Sequence, residues 1–149
     1  MTKTEFEIKD GRELPCEQVV ELYNSVGWLG YTTGDQKAKL QQAIHNSTYV
    51  LSAWSGEKLI GLARCISDDV SIFYLQDILI HPEYHRQGLG RKMLLNCLHR
   101  FEHVRMKVLL TDDEKQQKKF YQSLGYKNIR DLNKIKLNAF VQIAGLELE

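Results

Sequence analysis

Two glycines and three cationic side chains lie close together after an apolar stretch of the chain. They belong to a short loop made of His85, Arg86, Gln87, Gly88, Leu89, Gly90, Arg91 and Lys92. Glycines let a backbone approach an anion closely, and the start of a helix presents unpaired N–H groups and the positive end of its dipole. Arg86, Arg91 and Lys92 can pair with phosphate oxygens. The pattern predicts a phosphate-binding loop.

Other interpretations of the loop differ in strength. Taken alone, a Gly-x-Gly pair is as often a tight turn that packs a helix on a sheet as it is a phosphate-binding loop. The Gly-Lys-Ser/Thr of a P-loop is absent from the sequence, which rules out that class of nucleotide site. A dinucleotide-binding fold is disfavoured, because a predicted hairpin precedes the loop and the third glycine of that fingerprint is missing. The strand before the loop and the patterned helix after it favour phosphate binding.

Hydropathy periodicity predicts the elements that position this loop. Helices are expected from Pro15 to Gly27, after a capping Asp35, and over residues 90–103 and 114–124, the last one ending at Gly125. Strands are predicted over residues 6–9, 49–54, 59–66, 71–80 and 106–110, the last a short buried strand, with residues 126–130 and 140–143 closing the sheet. We therefore predict one α/β (α+β) domain over residues 1–149 with a mixed, mostly antiparallel sheet.

Composition limits the classes of partner. The 149 residues carry a net charge of +1, so no overall field favours nucleic acid or an anionic membrane. No apolar run is long enough to span a bilayer, and residues 1–5 lack a signal-peptide pattern, so a cytoplasmic protein is expected. Three scattered cysteines fit neither a disulfide framework nor a zinc site, and no metal is expected. Cys97 follows the apolar face of its helix and is expected in the core.

The loop and a second motif resemble one known family. Residues 85–90 are similar to the Gln/Arg-x-x-Gly-x-Gly/Ala loop of the GCN5-related N-acetyltransferases (GNAT), with His85 at the position that is usually Gln or Arg. Residues 120–126, Phe-Tyr-Gln-Ser-Leu-Gly-Tyr, resemble the family's Phe-Tyr-x-x-x-Gly-Phe/Tyr signature. The two motifs occur in the order that the family has.

This resemblance implies acetyl-CoA as cosubstrate and a sheet that splays at its central strand. The loop of residues 85–92 would bind the pyrophosphate, and the backbone of Ile78, Leu79 and Ile80 would hold the pantetheine arm like an added strand. A backbone N–H of this strand would polarise the thioester carbonyl. The side chains of these three residues are expected in the core.

The resemblance also implies catalytic groups. Tyr121 matches the family's general acid, and a phenol with an ordinary pKa of about 10 stays protonated at neutral pH. No clear base is present in the sequence. Asp77 is the carboxylate inside the central strand, and a bulge could re-aim it to act as base or substrate anchor. His81, a chain of ordered water, or an amine that arrives neutral are the alternatives.

The expected acceptor is the primary amine of a small molecule, attacked directly in a ternary complex. The family layout implies that the first two helices and the loop between them form an acceptor wall, with contacts from Tyr23, Trp28 and Tyr31. Tyr74 and Gln76 of the central strand are expected to complete it. Aromatic faces there could bind a cationic amine, although packing between helices explains them equally well. A non-catalytic acyl-CoA sensor domain and a peptide N-terminal acetyltransferase are the alternative functions. A homodimer is expected only from the family.

Overall fold

The chain folds into two compact units, one ending at Leu110 and the other spanning Thr111–Glu149. A computed structural model describes residues 5–149. Met1–Thr4, which carry most of the segment used to predict that there is no signal peptide, lie outside the described residues. No helix within residues 5–149 is long and apolar enough to cross a membrane.

A five-stranded sheet organises the first unit. Its elements in chain order are β1 (Glu7–Asp10), α1 (Cys16–Ser25), α2 (Gln36–Asn46), β2 (Tyr49–Ser55), β3 (Lys58–Ser67), β4 (Ile72–Ile80), α3 (Leu89–Arg100) and β5 (Met106–Leu109). The strands lie in the order β1-β2-β3-β4-β5; the first three pairs are antiparallel and β4 runs parallel to β5. A parallel pair needs a crossover connection, and α3 lies in it. The predicted mixed, mostly antiparallel sheet is confirmed.

The two faces of the sheet bury different helices. One face packs against α1 and α2 through a cluster that includes Val19, Leu22, Ile44, Leu62 and Leu79. The other face packs against α3, where the buried Cys97 contacts Cys65 of β3 (Sγ–Sγ 3.7 Å) and the ring centroids of Phe73 and Phe101 lie 5.1 Å apart. Cys97 is in the core, as predicted. Each fully buried aliphatic or aromatic side chain contributes about 1.5–3 kcal/mol.

Gly61 lets α3 approach the sheet closely. A Cβ at this position would lie 2.9 Å from Cδ1 of Ile80 and 3.3 Å from Sδ of Met93. A larger residue in β3 would therefore push the sheet away from α3 or displace the end of β4. The absence of a side chain at residue 61 therefore lets the end of β4, which leads into the glycine loop, lie close to β3 and α3.

β4 contains a bulge and then separates from β5. Arg64 of β3 pairs with Asp77, while the next residue Cys65 pairs with Leu75, so Gln76 is the extra residue. The bulge turns Asp77 and Leu79 toward α1, whereas Phe73 and Leu75 face α3. Pairing between β4 and β5 covers only Ile72 to Leu75 of β4. The predicted splay of the central strand is present.

The second unit contains α4 (Lys115–Ser123), which covers most of the predicted helix. The chain leaves it through Gly125, whose φ of 94° lies in the left-handed region, as the sequence predicts. The prediction that residues 126–130 and 140–143 form strands is wrong. Ile129–Asp131 is a 3₁₀ turn in which the Asn128 side chain accepts a hydrogen bond from the Arg130 N–H, which competes with an extended strand. Phe140 is 92% exposed, so it gains no cross-strand burial.

Two smaller expectations also fail. Asp35 precedes α2 but makes no side-chain capping bond; its carboxylate lies 3.7 Å from Nζ of Lys39 instead. β5 is not a buried strand, since Met106 is 54% exposed at the edge of the sheet. In both cases the local pattern identified the element but not the surroundings of its side chains: an i,i+4 ion pair replaces the cap of α2, and the edge position exposes β5.

Candidate active site

The glycine loop joins the end of β4 to the start of α3. The backbone adopts positive φ at Arg86 (63°) and at Gly88 (76°), and Gly88 directly precedes α3. Left-handed residues of this kind turn successive N–H groups to one side, which forms an anion-binding concavity. The Lys92 N–H donates to the Gly88 carbonyl at 3.0 Å, which closes the first turn of α3. The preceding N–H groups lie in the first turn, where an anion is the natural partner.

His85 connects the loop to the end of β4. Its Nε2 lies 2.7 Å from the carbonyl oxygen of Ile80. A carbonyl can only accept, so Nε2 carries the proton and donates this bond. His81 has a turn role, because its Nδ1 accepts a bond from the Glu83 N–H at 3.2 Å. The departure from Gln or Arg at residue 85 therefore supplies a side chain that holds the loop against the strand.

The splayed part of β4 provides a backbone edge beside this loop. Beyond Leu75, no residue of β5 continues the ladder in the described part of the chain, although β4 extends to Ile80. Ile78 and Ile80 are half-buried and Leu79 is buried. The Leu79 side chain belongs to the core, as predicted for all three, whereas those of Ile78 and Ile80 are only partly buried. The backbone facing the splay can hydrogen-bond an extended chain that carries amide groups.

Asp77 lies in a buried cluster of polar side chains behind the splayed edge. Its Oδ2 accepts hydrogen bonds from Nε and Nη2 of Arg64, at 3.0 and 2.8 Å, and from the hydroxyl of Tyr23 at 2.9 Å. Its Oδ1 accepts from the hydroxyl of Tyr31 at 3.1 Å. Arg64 and Asp77 are 6% and 3% exposed. The carboxylate is thus satisfied by side chains.

The sequence analysis did not identify Arg64. An arginine within the apolar strand 59–66 was the available signal, because a buried guanidinium requires an anionic partner. Its partner depends on the register between β3 and β4, which a bulge shifts. Burial lowers the pKa of Arg64, but the neighbouring Asp77 outweighs it and the pKa is raised. The guanidinium therefore stays charged.

The predicted acceptor wall divides into buried and accessible members. Tyr23 is fully buried and stands behind the wall, whereas Trp28 and Tyr31 are half-buried. The Tyr31 ring centroid lies 5.2 Å from that of Tyr23 and 6.1 Å from that of Trp28. Burial, followed by the charge of Asp77, raises the pKa values of Tyr23 and Tyr31. Both hydroxyls therefore stay protonated and donate to Asp77.

Two β4 residues complete the predicted wall. Gln76 is exposed at the bulge, and its Nε2 lies 3.5 Å from the hydroxyl of Tyr31. Tyr74 is half-buried, and burial followed by Asp77 raises its pKa. The structure therefore links Gln76, Tyr31 and Asp77 directly, while Tyr74 lies in the segment that pairs with β5.

Tyr121 belongs to the second unit, where α4 and the following turn surround it with aromatic rings. Its ring centroid lies 5.0 Å from that of Phe120 and 6.1 Å from that of Tyr126. Its carbonyl accepts the N–H groups of Leu124 and Tyr126, which closes the end of the helix. Burial raises the pKa of Tyr121 to about 12. Its phenol is a hydrogen-bond donor throughout the neutral range.

Comparison with known proteins agrees with this fold. A profile of the acetyltransferase (GNAT) domain matches residues 19–139. An uncharacterized N-acetyltransferase, ycf52-like, of Prochlorococcus marinus is 27% identical over 125 residues, which cover 81% of this chain and 67% of the relative. A GNAT-family acetyltransferase structure from Streptococcus pneumoniae superposes with a TM-score of 0.73 at 28% identity, covering 91% of this chain and 98% of that one.

A more distant structure was solved with CoA. It is an aminoglycoside N-acetyltransferase with a TM-score of 0.68 and 16% identity, covering 96% of this chain and 97% of that one. At this identity the likeness shows the fold alone. Taken with the profile match, the sheet with its splayed central strand and the glycine loop place this chain in the GNAT family of acetyltransferases.

Proposed function

We propose that the protein transfers the acetyl group of acetyl-CoA to the primary amine of a small molecule, by direct attack within a ternary complex. The splayed edge of β4, which runs from the bulge at Gln76 to the glycine loop, carries this proposal. The edge and the loop together suit a ligand with amide groups at one end and phosphates at the other. Acetyl-CoA has that chemistry and brings a reactive thioester.

The residues of the first unit would hold the donor. Backbone N–H groups of residues 87–91 and the cations of the loop bind the pyrophosphate, because these groups meet at the start of α3. The backbone of Ile78, Leu79 and Ile80 pairs with the pantetheine amides. A strand N–H polarises the thioester carbonyl as the amine attacks. Burying the amides is favourable only if they find such partners.

Proton transfer would use Tyr121 and solvent. Its phenol acts on the departing thiolate by donating a hydrogen bond, and the proton that the amine releases to water balances the one that the thiolate takes up. Asp77 serves as an anchor rather than as the base, since four hydrogen bonds from three side chains already occupy it. The amine arrives neutral or loses its proton to water.

A single-domain organisation is supported by the family match, which includes residues of both units. The cytoplasmic location and the homodimer stay predictions.

A panel of amines tests the function directly. The purified protein is mixed with acetyl-CoA and, in turn, phenethylamine, spermidine, an amino acid, an aminoglycoside and a peptide with a free N-terminus, and thiol release is recorded. We expect acetyl-CoA binding and turnover on at least one small amine. Binding without turnover on any amine would favour the non-catalytic sensor domain, and turnover on the peptide alone would favour an N-terminal acetyltransferase.

The Tyr121→Phe variant tests the proposed acid. We expect kcat to fall roughly 20-fold, because a hydrogen bond to a charged group is worth about 1.5–3 kcal/mol. Because the pKa of Tyr121 is about 12, its phenol stays protonated even at a pH above the ordinary phenol pKa of about 10. Deprotonation of Tyr121 therefore causes no loss of wild-type activity below pH 10. Steady-state rates across pH measure both effects. An unchanged kcat in the variant would exclude this role for Tyr121.

A further inference from the structure

A continuous chain of polar side chains runs from the core to the exposed bulge of β4. It starts at Arg64, passes through Asp77 and the hydroxyl of Tyr31, and ends at the amide of Gln76. We propose that Arg64 and Asp77 are positioning residues that fix the Tyr31 hydroxyl and the Gln76 amide as paired hydrogen-bond acceptors for the acceptor amine. This inference rests on the proposed function and specifies how its acceptor is held.

The donor and acceptor capacities of these side chains determine which of their atoms can bind the amine. An ionised carboxylate only accepts, so the Tyr31 O–H must point at Asp77 Oδ1, and its lone pairs lie on the other side of the oxygen. With that proton committed, Gln76 can approach the hydroxyl only through its NH₂ group, at 3.5 Å. The amide oxygen of Gln76 is therefore left as an acceptor. One lone pair of the Tyr31 oxygen accepts this NH₂ group, so the remaining lone pair of Tyr31 and the amide oxygen of Gln76 are the two neutral acceptors that match the N–H donors of an amine.

The bulge makes this arrangement possible. In a regular strand Asp77 would share a face with Leu75, toward α3, and could not reach Tyr31. The extra residue Gln76 turns Asp77 toward α1, and the contact with Arg64 across β3 and β4 holds that register. A slip of one residue would bring the opposite face of the strand to the wall. Arg64 therefore acts on the acceptor through the register of β4.

Charge and surroundings indicate the class of acceptor. The negative charge of Asp77 is compensated by Arg64, and both side chains are buried, so this cluster does not attract a polycation. The half-buried ring of Trp28 lies 6.1 Å from that of Tyr31, which carries one of the two oxygens. Such rings bind an apolar body and stabilise a single ammonium group. The inferred acceptor is an amine with one amino group on an apolar or aromatic body.

The test compares variants at the two presented atoms. Tyr31→Phe keeps the ring and removes the oxygen, and Gln76→Ala changes an exposed side chain with little effect on folding. For each, we expect the KM for phenethylamine to rise about tenfold while the KM for acetyl-CoA changes less than twofold. Tyr49→Phe is the matched control, because this half-buried tyrosine packs against Phe101 on the α3 side of the sheet. Its kinetics should equal those of the wild type.

A mutant cycle tests the support behind these atoms. Asp77→Asn keeps one oxygen, which the Arg64 guanidinium requires, and so turns an NH₂ group toward the Tyr31 hydroxyl, which can no longer donate to residue 77. It should therefore raise the KM for phenethylamine as Tyr31→Phe does, and the double variant should be no worse than either single one, because both act on the same contact. Two results would overturn the positioning role. One is a double variant whose losses add, and the other is an Asp77→Asn variant whose kcat falls on the acid side of the pH profile while its KM for phenethylamine stays constant. If Asp77→Asn does not fold, Arg64→Lys takes its place in the cycle, because it keeps the positive charge but loses the two-nitrogen contact with Asp77. An unchanged KM for phenethylamine in Arg64→Lys would overturn the positioning role.

The outcomes separate this inference from the proposed function. Efficient wild-type turnover with an unchanged amine KM in both Tyr31→Phe and Gln76→Ala overturns the inference alone. A higher kcat/KM for spermidine than for phenethylamine overturns the inferred acceptor class. If no amine is acetylated, the proposed function fails and takes this inference with it.

Discussion

Replacing Gly88 with valine is expected to lower the affinity for acetyl-CoA about 100-fold or more while the protein stays folded. Gly88 has a φ of 76° directly before α3. A β-branched residue is strained by about 1–3 kcal/mol there, so the loop would relax and redirect its N–H groups. Losing two hydrogen bonds to a charged group, each worth about 1.5–3 kcal/mol, accounts for such a change. Calorimetric titration with acetyl-CoA measures it.

Gly56→Val is the matched control. Gly56 lies in the turn between β2 and β3 with a φ of 59°, and a Cβ at either glycine would meet nothing within 4 Å. The two substitutions thus introduce a similar backbone strain without a clash, one in the loop and one away from it. We expect Gly56→Val to lose stability but to keep its acetyl-CoA affinity within about twofold of wild type. Equal losses of affinity in both variants would refute the phosphate-binding role of the loop.

Replacing Asp77 with alanine is expected to lower the free energy of unfolding by about 3–5 kcal/mol. The change leaves the buried guanidinium of Arg64 without its anion and removes the acceptor of the Tyr23 and Tyr31 hydroxyls. The attraction within the pair matters less than the charge left behind, because an unpaired buried charge is costly to hold out of water. Denaturant unfolding followed by circular dichroism measures the loss.

The double variant Arg64→Met and Asp77→Leu separates these causes. It removes both charges and fills their space with apolar side chains of similar volume, which is often close to neutral for buried ion pairs. We expect it to be more stable than Asp77→Ala, although the hydroxyls of Tyr23 and Tyr31 still lack their acceptor. A loss below about 1 kcal/mol in Asp77→Ala would mean that water reaches the pair, and the cluster would not be a rigid support.

The local sequence was enough to predict the part of the site that would bind the acetyl donor. The two glycines after an apolar strand and before a patterned helix identified the loop, and the structure places Gly88 in the left-handed conformation that only glycine adopts easily. Hydropathy also located β2, β3, β4 and α3 within a few residues of their observed bounds. These features depend on neighbours in the chain, so a sequence reader can find them without knowing the pairing of distant segments.

Other features depended on partners far along the chain. The Asp77 environment brings together residues 23, 31, 64 and 77, and it exists because a bulge of one residue shifts the register of β4 on β3. Residues 126–130 and 140–143 have the composition of strands but no strand partner among the described residues. Composition is compatible with a strand, whereas pairing decides whether one forms.

The sequence by itself determined the glycine loop between an apolar strand of a mixed sheet and a helix, and it carries the motifs of an acetyltransferase. Tertiary structure alone decided that Asp77 is held by Arg64, that Tyr23 is buried, and that Tyr31 links Asp77 to Gln76 at the bulge of β4. The reason is physical: backbone conformation at a glycine is a local property, whereas the face that a side chain presents depends on strand register, which is set by contacts between distant residues.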